Sequence, residues 1–311
     1  MNHIQMTEPD GVLILDKPEG MTSHDCVAIM RRLYHTRKVG HTGTLDPMAT
    51  GVLPILLGRA AKAAEYLTAE DKHYIAGLRL GLTTDTEDIT GAVLTESSDI
   101  PAESAVIAAA ESFIGESDQI PPMYSALKVD GQKLYDLARQ GITVERKARK
   151  ITIPALTCTK QDERTYILDV RCSKGTYIRT LCADIGAKLG CGGVMCSLRR
   201  AGSGNFTLDR AYTIEALEAM TDEERLSCLM PTEALFSDLE KLVLPAFYER
   251  LADNGQPIHL KKLYRGKYDE SRYTIGQRMT IIGENKGFFA LGEVQSGEDG
   301  FVVKPIKKFV L

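Results

Sequence analysis

One segment restricts the backbone of this chain more than any other. Residues 40–51 read Gly-His-Thr-Gly-Thr-Leu-Asp-Pro-Met-Ala-Thr-Gly. Proline excludes the helical conformation for the residue before it, so Asp46 is expected to be extended while Pro47 has its own φ fixed. Gly43 and Gly51 allow sharp turns on either side. A lone carboxylate presented in this way, without a second acid or a metal-ligand cluster nearby, suits covalent catalysis. An Asp-Pro pair is also an ordinary turn initiator, so the rest of the chain has to decide between the two interpretations.

The overall composition is that of an ordinary globular protein. The chain has 311 residues, of which 43% are hydrophobic and 26% charged, enough for one large domain with a small one or for two of moderate size. No apolar run reaches the length of a membrane span, and residues 1–10 are too polar for a signal peptide. We therefore expect a cytoplasmic protein that does not associate with membranes.

Neither the cysteines nor the acidic residues predict a metal site. The chain has seven cysteines and no Cys-x-x-Cys pair, which argues against a disulfide framework and a structural zinc site. Asp85, Glu87 and Asp88 suggest a calcium loop, but Ile89 and Thr90 stand where an EF-hand needs a ligand and a glycine. We expect buried, unpaired cysteines and a capped turn at residues 85–88.

The net charge of −4 conceals several basic patches. Residues 215–256 hold 3 basic and 10 acidic side chains, whereas residues 257–311 hold 10 basic and 6 acidic ones. The other basic side chains of interest are Arg31, Arg32, Arg37, Lys38, Arg146, Lys147, Arg149, Lys150, Arg199 and Arg200. Such patches are candidates for phosphate contacts in RNA, although a single patch of this kind is more often a solvated face.

Hydrophobic periodicity predicts strands at residues 11–16, 73–80, 151–157 and 166–172, and helices at 55–67, 102–114, 178–189 and 211–240. Ser23 is the expected N-cap of a further helix. Residues 121–150 form a polar, basic excursion that contains tyrosines. Short β-like pieces at residues 273–276, 279–283, 288–294 and 301–305 predict a small β-barrel after a boundary at 242–245.

Arg179 is expected in the first turn of the helix 178–189, where the helix dipole disfavours a cation by about 0.3–1 kcal/mol. A nearby anion would explain its position. An exposed arginine that reaches into solvent is the alternative.

Several motifs, in this order, resemble those of the tRNA pseudouridine synthase B (TruB) family. They are residues 13–20 with a Lys-Pro-x-Gly turn, 39–51 around Asp46, Lys72-x-Tyr74, 80–88 with Thr-Asp-Thr, 119–137, 172–181 with Gly-Thr-Tyr-Ile-Arg, and 198–206 with Leu-Arg-Arg. The resemblance covers residues 11–215 closely and the last 70 residues or so less closely.

The resemblance implies an α+β pseudouridine synthase fold: a central mixed, mainly antiparallel sheet flanked by helices, plus a small C-terminal PUA-like β-barrel. The implied domains are a catalytic domain at residues 1–240, with a basic RNA-binding insertion at about 121–150, and a PUA-like RNA-binding domain at 241–311. The implied activity is isomerisation of uridine 55 in the T-arm of tRNA to pseudouridine, without a metal or a cofactor.

The family's roles fall on matching residues. Asp46 is implied to be the catalytic aspartate, which attacks the nucleoside as the C1′–N1 bond breaks. Tyr74 is implied to stack on the flipped base, and Arg179 to pair with Asp46. The implied substrate-binding residues are His41, which fills the gap left by the base, and the pocket residues Tyr177 and Leu198. From the basic patches we further predict that the cations Lys17, Lys128, Lys147, Arg149 and Lys150 bind the substrate. Without the resemblance, Tyr74 would be interpreted as a core residue and His41 as a turn residue.

Stacking on an aromatic ring is worth about 1–3 kcal/mol per base, so Tyr74 could recover much of the cost of flipping a uracil out of a folded loop. Two alternatives stay open: a tRNA-folding chaperone for which catalysis is secondary, and a guide-RNA-dependent synthase that modifies ribosomal RNA. We expect tRNA to be the partner of a monomer that needs no other protein.

Overall fold

The computed structural model describes residues 8–67, 71–129 and 131–309. In chain order its strands β1 to β19 are Gly11–Lys17, Val39–His41, Thr50–Leu57, Lys72–Leu80, Leu82–Thr84, Val93–Glu96, Gly115–Gln119, Lys128–Val129, Gln132–Lys133, Arg149–Ile153, Ala155–Lys160, Thr165–Cys172, Gly193–Ser203, Phe206–Thr207, Glu240–Leu244, Ile258–His259, Arg278–Gly283, Gly287–Gly297 and Gly300–Lys308. Its helices α1 to α9 are Ser23–Leu33, Ala64–Leu67, Glu103–Glu111, Leu134–Arg139, Ile178–Leu189, Ile214–Ala219, Asp222–Ser227, Ala246–Asp253 and Leu260–Tyr264. Short 3₁₀ turns lie at Gly58–Ala63, Leu208–Arg210, Thr232–Phe236, Arg265–Lys267 and Glu270–Arg272.

The largest sheet has the strand order β1-β3-β13-β4-β12-β11, with β2 attached to β3 and β14 to β13. All of its pairs are antiparallel except β3 with β13. Helix α3 packs on β11 and against α5, α5 packs on β13 and β4, and α1 packs beside β2. The expected fold, a mixed and mainly antiparallel sheet flanked by helices, is confirmed.

Two hydrophobic clusters meet in the middle of this sheet. One joins α3 and α5 to strands β4, β11 and β12, and the other joins α1 to strands β1 and β3. Tyr74 and Leu198 pack against both clusters. The two side chains therefore lie at the seam between the halves of the sheet, close to the parallel contact of β3 and β13.

The C-terminal part of the chain folds into a second, PUA-like sheet with the order β15-β17-β18-β19-β16. Only β15 and β17 run parallel in it. This curled sheet is a half-barrel, and the predicted strand at residues 273–276 is a turn. A shared cluster, in which Leu291 and Phe309 join Val12 and Ile14, packs the second sheet against the first.

Two of the predicted helices are wrong over most of their length. Residues 55–67 begin as the end of β3, continue as a 3₁₀ turn and finish in the single turn of α2. Because β3 is buried on both faces, its apolar run carries no alternation that would distinguish it from a buried helix. Residues 211–240 divide into α6, α7 and a 3₁₀ turn, since Thr213 and Thr221 each cap a new helix.

Two smaller differences are local. The N-cap of α1 is Thr22, which forms a capping box with Asp25, and Ser23 is the first helical residue. The strand predicted at 151–157 is two strands, β10 and β11, which are separated by Pro154 because proline cannot donate to a ladder.

No helix in the described ranges is long and apolar enough to cross a membrane. Five cysteines are buried, two are half-buried, and all seven are unpaired.

Candidate active site

The loop that carries Asp46 connects β2 to β3 and is held at several points. Asp46 opens a tight turn, in which its carbonyl oxygen accepts a hydrogen bond from the Ala49 amide at 3.0 Å. The hydroxyl of Ser23 bonds both backbone groups of Leu45, with the amide at 2.9 Å and the carbonyl at 3.1 Å. The Asp46 side chain remains 42% exposed. The loop therefore has a constrained backbone and still presents the Asp46 carboxylate to solvent.

Lys17 lies beneath this loop and does not reach solvent. It is 0% exposed, and its Nζ donates to the carbonyl oxygens of Pro18 at 2.9 Å, Pro47 at 3.2 Å and Ala49 at 2.6 Å. Burial lowers the pKa of this ammonium, while the nearby Cys26 and Asp46 raise it. All three donors of Lys17 are used inside the protein, where they bond the Asp46 loop and Pro18, and a contact of Lys17 with the substrate stays a prediction.

Arg179 is the second residue of α5 and is 7% exposed. Its Nε lies 3.1 Å from Oδ2 of Asp46, and its Nη1 lies 3.6 Å from Oδ2 of Asp88. Its remaining donors bond the carbonyl oxygens of Thr86 at 3.1 Å and Tyr124 at 2.7 Å. The anion predicted from the position of Arg179 is therefore present, and a second carboxylate accompanies it. These contacts compensate for the unfavourable helix dipole and for the desolvation of the guanidinium.

Hydrogen bonds within the predicted capped turn fix the side chain of Asp88. It is 6% exposed, and its Oδ1 accepts from the hydroxyls of Thr86 at 2.9 Å and Thr90 at 2.6 Å. The amide of Thr90 donates to the same oxygen at 3.0 Å. One carboxylate oxygen is thus bound to the turn while the other faces Arg179. The acidic cluster was recognised in the sequence, but its link to Arg179 was missed, because no local signal joins residues 91 positions apart.

Tyr74 lies on β4, directly opposite Arg200 of β13. Burial raises the pKa of the Tyr74 phenol, and the positive charge of Arg200 acts in the opposite direction. Arg200 is only 1% exposed, and Arg199 pairs with Asp16 at 2.8 Å. Neither arginine side chain is therefore free to contact a phosphate, contrary to the interpretation of Arg199 and Arg200 as a phosphate-binding patch.

The other predicted pocket residues surround the same region. His41 ends β2 and packs edge-on against His24, with a ring centroid distance of 5.6 Å. Burial and the neighbouring His24 lower the pKa of His41, and its buried Nδ1 has no hydrogen-bond partner in the described part of the chain. Leu198 lies with Tyr74 at the seam of the sheet.

Tyr177 is the N-cap residue of α5 and precedes Arg179 by two positions. Both of its backbone groups bond the side chain of Gln119, with the amide at 2.8 Å and the carbonyl at 3.0 Å. Gln119, at the end of β7, was not recognised in the sequence as part of the site. It connects the start of α5 to the first residues of the basic excursion.

The basic excursion, residues 121–150, passes close to Arg179 at Tyr124 and ends at the start of β10. Arg146 anchors it by donating to the carbonyl oxygen of Pro121 at 3.0 Å. The predicted RNA-binding cations, which are Lys128, Lys147, Arg149 and Lys150, are all exposed. Within residues 8–67, 71–129 and 131–309, none of these four has a carboxylate at ion-pair distance. They are accordingly available to an external anion.

The same described residues contain no group of three or more His, Cys, Asp or Glu side chains that could hold a metal ion.

Two family models cover the site. Residues 31–178 match the N-terminal domain of the TruB family pseudouridylate synthases, and residues 179–245 match the tRNA pseudouridylate synthase B C-terminal domain. The chain belongs to the TruB family.

Named relatives agree with this TruB assignment. The tRNA pseudouridine synthase B of Alkaliphilus oremlandii is 45% identical over 92% of this chain and 94% of its own length. The protein of the same name from Ralstonia pickettii is 48% identical over 81% of this chain and 80% of its own length. A crystal structure of a Cbf5-Nop10-Gar1 complex matches with a TM-score of 0.69 and 25% identity, over 99% of this chain and 88% of the other. The TruB chain described here is therefore an enzyme of an isomerase family with a pseudouridine synthase fold.

Proposed function

We propose that this enzyme isomerises uridine 55 in the T-arm of tRNA to pseudouridine, as a cytoplasmic monomer that needs no obligatory protein partner. The observation that carries the proposal is the pair of Asp46 and Arg179, at 3.1 Å, beside Tyr74 in a chain of the TruB family. The relatives at 44–48% identity are named for tRNA, which supports tRNA as the substrate.

In the proposed reaction the target uridine is flipped out of the T-loop and stacks on Tyr74. The cost of flipping, a few kcal/mol, is offset by this stacking and by His41, which enters the gap in the RNA. Leu198 and Tyr177 form walls of the base pocket.

The carboxylate of Asp46 then attacks the nucleoside as the C1′–N1 bond breaks, and the bonding electrons leave with the uracil. The freed uracil turns so that C5 faces C1′, the C5–C1′ bond forms, and the aspartate is released. C5 loses its proton and N1 gains one, so the product is an isomer of the substrate. Arg179 orients the Asp46 carboxylate for this attack through the ion pair at 3.1 Å.

The proposed binding surface extends beyond the pocket. The exposed cations of the insertion at residues 121–150 contact phosphates of the T-arm. In the PUA-like domain, proposed to span 241–311 after a catalytic domain at 1–240, the basic segment 261–267 contacts phosphates of the acceptor stem. Lys262, Arg265 and Lys267 have no ion pair with any carboxylate in the described ranges, whereas Lys261 pairs with Asp299 at 2.6 Å.

The deciding experiment measures tritium release from an unmodified tRNA transcript labelled at C5 of uridine. Wild-type protein is expected to release about one equivalent per tRNA, and Asp46→Asn none. Asp169→Asn is a matched control, because this exposed aspartate pairs with His73 on another strand of the same sheet. A transcript in which position 55 is cytidine should release nothing above background.

The same assay separates the two alternatives. Absence of release by the wild type, with tRNA binding intact, would point to a chaperone on a synthase scaffold. Release that requires added guide RNA and proteins would point to the guide-dependent type.

A further inference from the structure

Ser23 carries a buried hydroxyl at the start of α1, one position after the residue that caps the helix. The sequence pattern predicted Ser23 as the N-cap, but Thr22 caps α1 and forms the capping box with Asp25. Ser23 is 0% exposed, so its hydroxyl is shielded from bulk water. Buried hydroxyl groups are normally hydrogen-bonded, and the partner of this one should indicate why a polar side chain stands there.

The partner is the backbone of Leu45, the residue directly before Asp46. The Ser23 hydroxyl accepts a hydrogen bond from the Leu45 amide at 2.9 Å and donates one to the Leu45 carbonyl oxygen at 3.1 Å. A hydroxyl can do both because it has one proton and two lone pairs. The Leu45 side chain is 3% exposed and belongs to the same hydrophobic cluster as Cys26 and Met30 of α1. Leu45 is therefore held at α1 through its backbone and its side chain.

The residue after Asp46 is held by the same part of the chain. The carbonyl oxygen of Pro47 accepts from the Gly20 amide at 2.8 Å and from Nζ of Lys17 at 3.2 Å. Asp46 thus lies between two anchored neighbours. Both anchors belong to residues 17–23, which run from the end of β1 to the start of α1.

We propose that Ser23 is a positioning residue for the isomerisation: its hydroxyl fixes Leu45 so that the Asp46 carboxylate stays against Arg179. Arg179 lies on α5, where other groups anchor it. The 3.1 Å between its Nε and Oδ2 of Asp46 therefore depends on where the loop is held. The inference rests on the proposed function for its kinetic consequence and on the structure alone for the two bonds. Ser23 is buried and acts on the substrate only through Asp46.

The kinetic test compares Ser23→Ala with Ser112→Ala in single-turnover tritium release and in tRNA binding. Ser112 is the matched control, because its hydroxyl also donates to a carbonyl oxygen, that of Ala109, and accepts from Nζ of Lys188. Misplacement of a reacting group by about 1 Å can cost about 100-fold in rate. Ser23→Ala is therefore expected to slow the chemical step at least about 10-fold while Kd changes by less than about 3-fold, with Ser112→Ala close to wild type. Equal rates for Ser23→Ala and wild type would overturn the proposal.

A double-mutant cycle tests whether Ser23 acts through the ion pair. In an Arg179→Ala background the Ser23→Ala change should cost clearly less than it does in the wild type, because the alignment that Ser23 maintains is already lost. The same fold-loss in both backgrounds would mean that Ser23 supports the structure without acting on the pair, and would overturn the proposal.

Hydrogen exchange tests the bond to Leu45 in the wild type, whether or not the alanine variant folds. The Leu45 amide should be protected from exchange with solvent, and it should lose most of this protection in Ser23→Ala. Exchange in the wild type as fast as that of an exposed amide would refute the bond.

Arginine signals test the position of Asp46 without turnover. In protein labelled with ¹⁵N-arginine, the Nε signal of Arg179 should shift in Ser23→Ala, in the same direction as in Asp46→Asn, and stay unchanged in Ser112→Ala. Insensitivity of this signal to Ser23→Ala would overturn the positioning role. A wild type without tritium release would remove the proposed function, while the Arg179 signal would still test how Ser23 places the loop.

Discussion

Arg179 and Asp46 form an asymmetric ion pair: the arginine side chain is 8% exposed, whereas the aspartate side chain is 42% exposed. The buried partner is held by Asp88 and by two backbone carbonyl oxygens, so the pair is anchored from the arginine side. Asp46 therefore keeps a fixed cation behind it while its other carboxylate face stays open. A nucleophile that must reach a flipped nucleotide needs this combination of orientation and access.

Replacement of Arg179 by alanine should slow the chemical step by about 100-fold or more, because Asp46 loses its orientation and its cation. tRNA affinity should change little, since Arg179 is buried and makes no phosphate contact in the proposal. Arg179→Lys should restore little, because one ammonium cannot reach two carboxylates and two carbonyl groups. Single-turnover tritium release and filter binding measure the two effects separately. Equal turnover of Arg179→Ala and wild type would refute the role of the pair, and Arg199→Ala serves as the control.

Asp88→Asn tests the second carboxylate near Arg179. The amide oxygen can still accept from Thr86 and Thr90, so the turn should survive, but the charge that faces Nη1 of Arg179 is lost. We expect about a 10-fold loss in the single-turnover rate, corresponding to about 1.4 kcal/mol. The control is Asp85→Asn, whose exposed carboxylate accepts from the Ala92 amide outside this pair. Equal losses in the two variants would show that the effect belongs to the turn and not to Arg179.

The sequence could reveal those parts of the site that are determined by residues close together along the chain. The turn at Asp46 follows from Pro47 and from glycines that do adopt positive φ, 75° at Gly43 and 102° at Gly51. The end of α5 could also be predicted from the local sequence, because Gly190 adopts the left-handed conformation of a C-cap. The prediction of a helix at residues 55–67 is wrong for a different reason. An apolar run without alternation does not distinguish a buried strand from a buried helix.

Residues that act over long distances could not be recognised in this way. Lys17 and Arg200 look like surface cations in the sequence, and only the folded chain shows their donors turned onto backbone carbonyls. Gln119 and Tyr124 bond groups near Arg179 more than 50 positions later. The pairing of Asp46 with Arg179 was predicted from the family resemblance. The hydrogen bonds that hold this pair in place depend on tertiary packing, which no local sequence pattern encodes.

Neutralising the exposed cations of the insertion should weaken tRNA binding in a salt-dependent manner. The variant carries glutamine at Lys147, Arg149 and Lys150, none of which pairs with a carboxylate in the described ranges. Each lost phosphate contact should flatten the plot of log affinity against log salt by about 0.7–0.9, or about 2–3 in total. Titrations of labelled tRNA at several salt concentrations measure this slope.

The control for this variant removes the same number of cations elsewhere. Lys160, Lys241 and Arg272 each lie at ion-pair distance from a glutamate, which is Glu103, Glu233 and Glu240 respectively. Glutamine at these three positions should leave the salt slope nearly unchanged. A slope that responds equally to both triple variants would mean that the insertion acts only through net charge.

Asp184 should make the stability of the fold depend on pH. It lies on α5, where burial and then the nearby Glu87 raise its pKa from 3.8 to about 6. Thr180, one helical turn earlier, donates to the Glu87 carboxylate at 2.6 Å, and burial raises the pKa of Glu87 as well. A carboxyl group with a raised pKa in the folded state destabilises the fold when it is ionised. This penalty is absent below about pH 4, grows between pH 4 and 6, and is complete above pH 6.

Asp184→Asn removes this penalty, so the variant should be more stable than the wild type at pH 7.5 and equal to it near pH 4. The full shift would correspond to about 2–3 kcal/mol, and partial exposure of the side chain reduces the expected gain to about 1–2 kcal/mol. At about 2–4 °C per kcal/mol, the thermal midpoint should rise by several degrees at pH 7.5. Thermal melts of the two proteins at pH 4, 6 and 7.5 measure it, with the exposed Asp169→Asn as control. A gain that is the same at pH 4 and pH 7.5 would show that the substitution acts through packing, because only an ionising group can make the difference vanish as the pH falls.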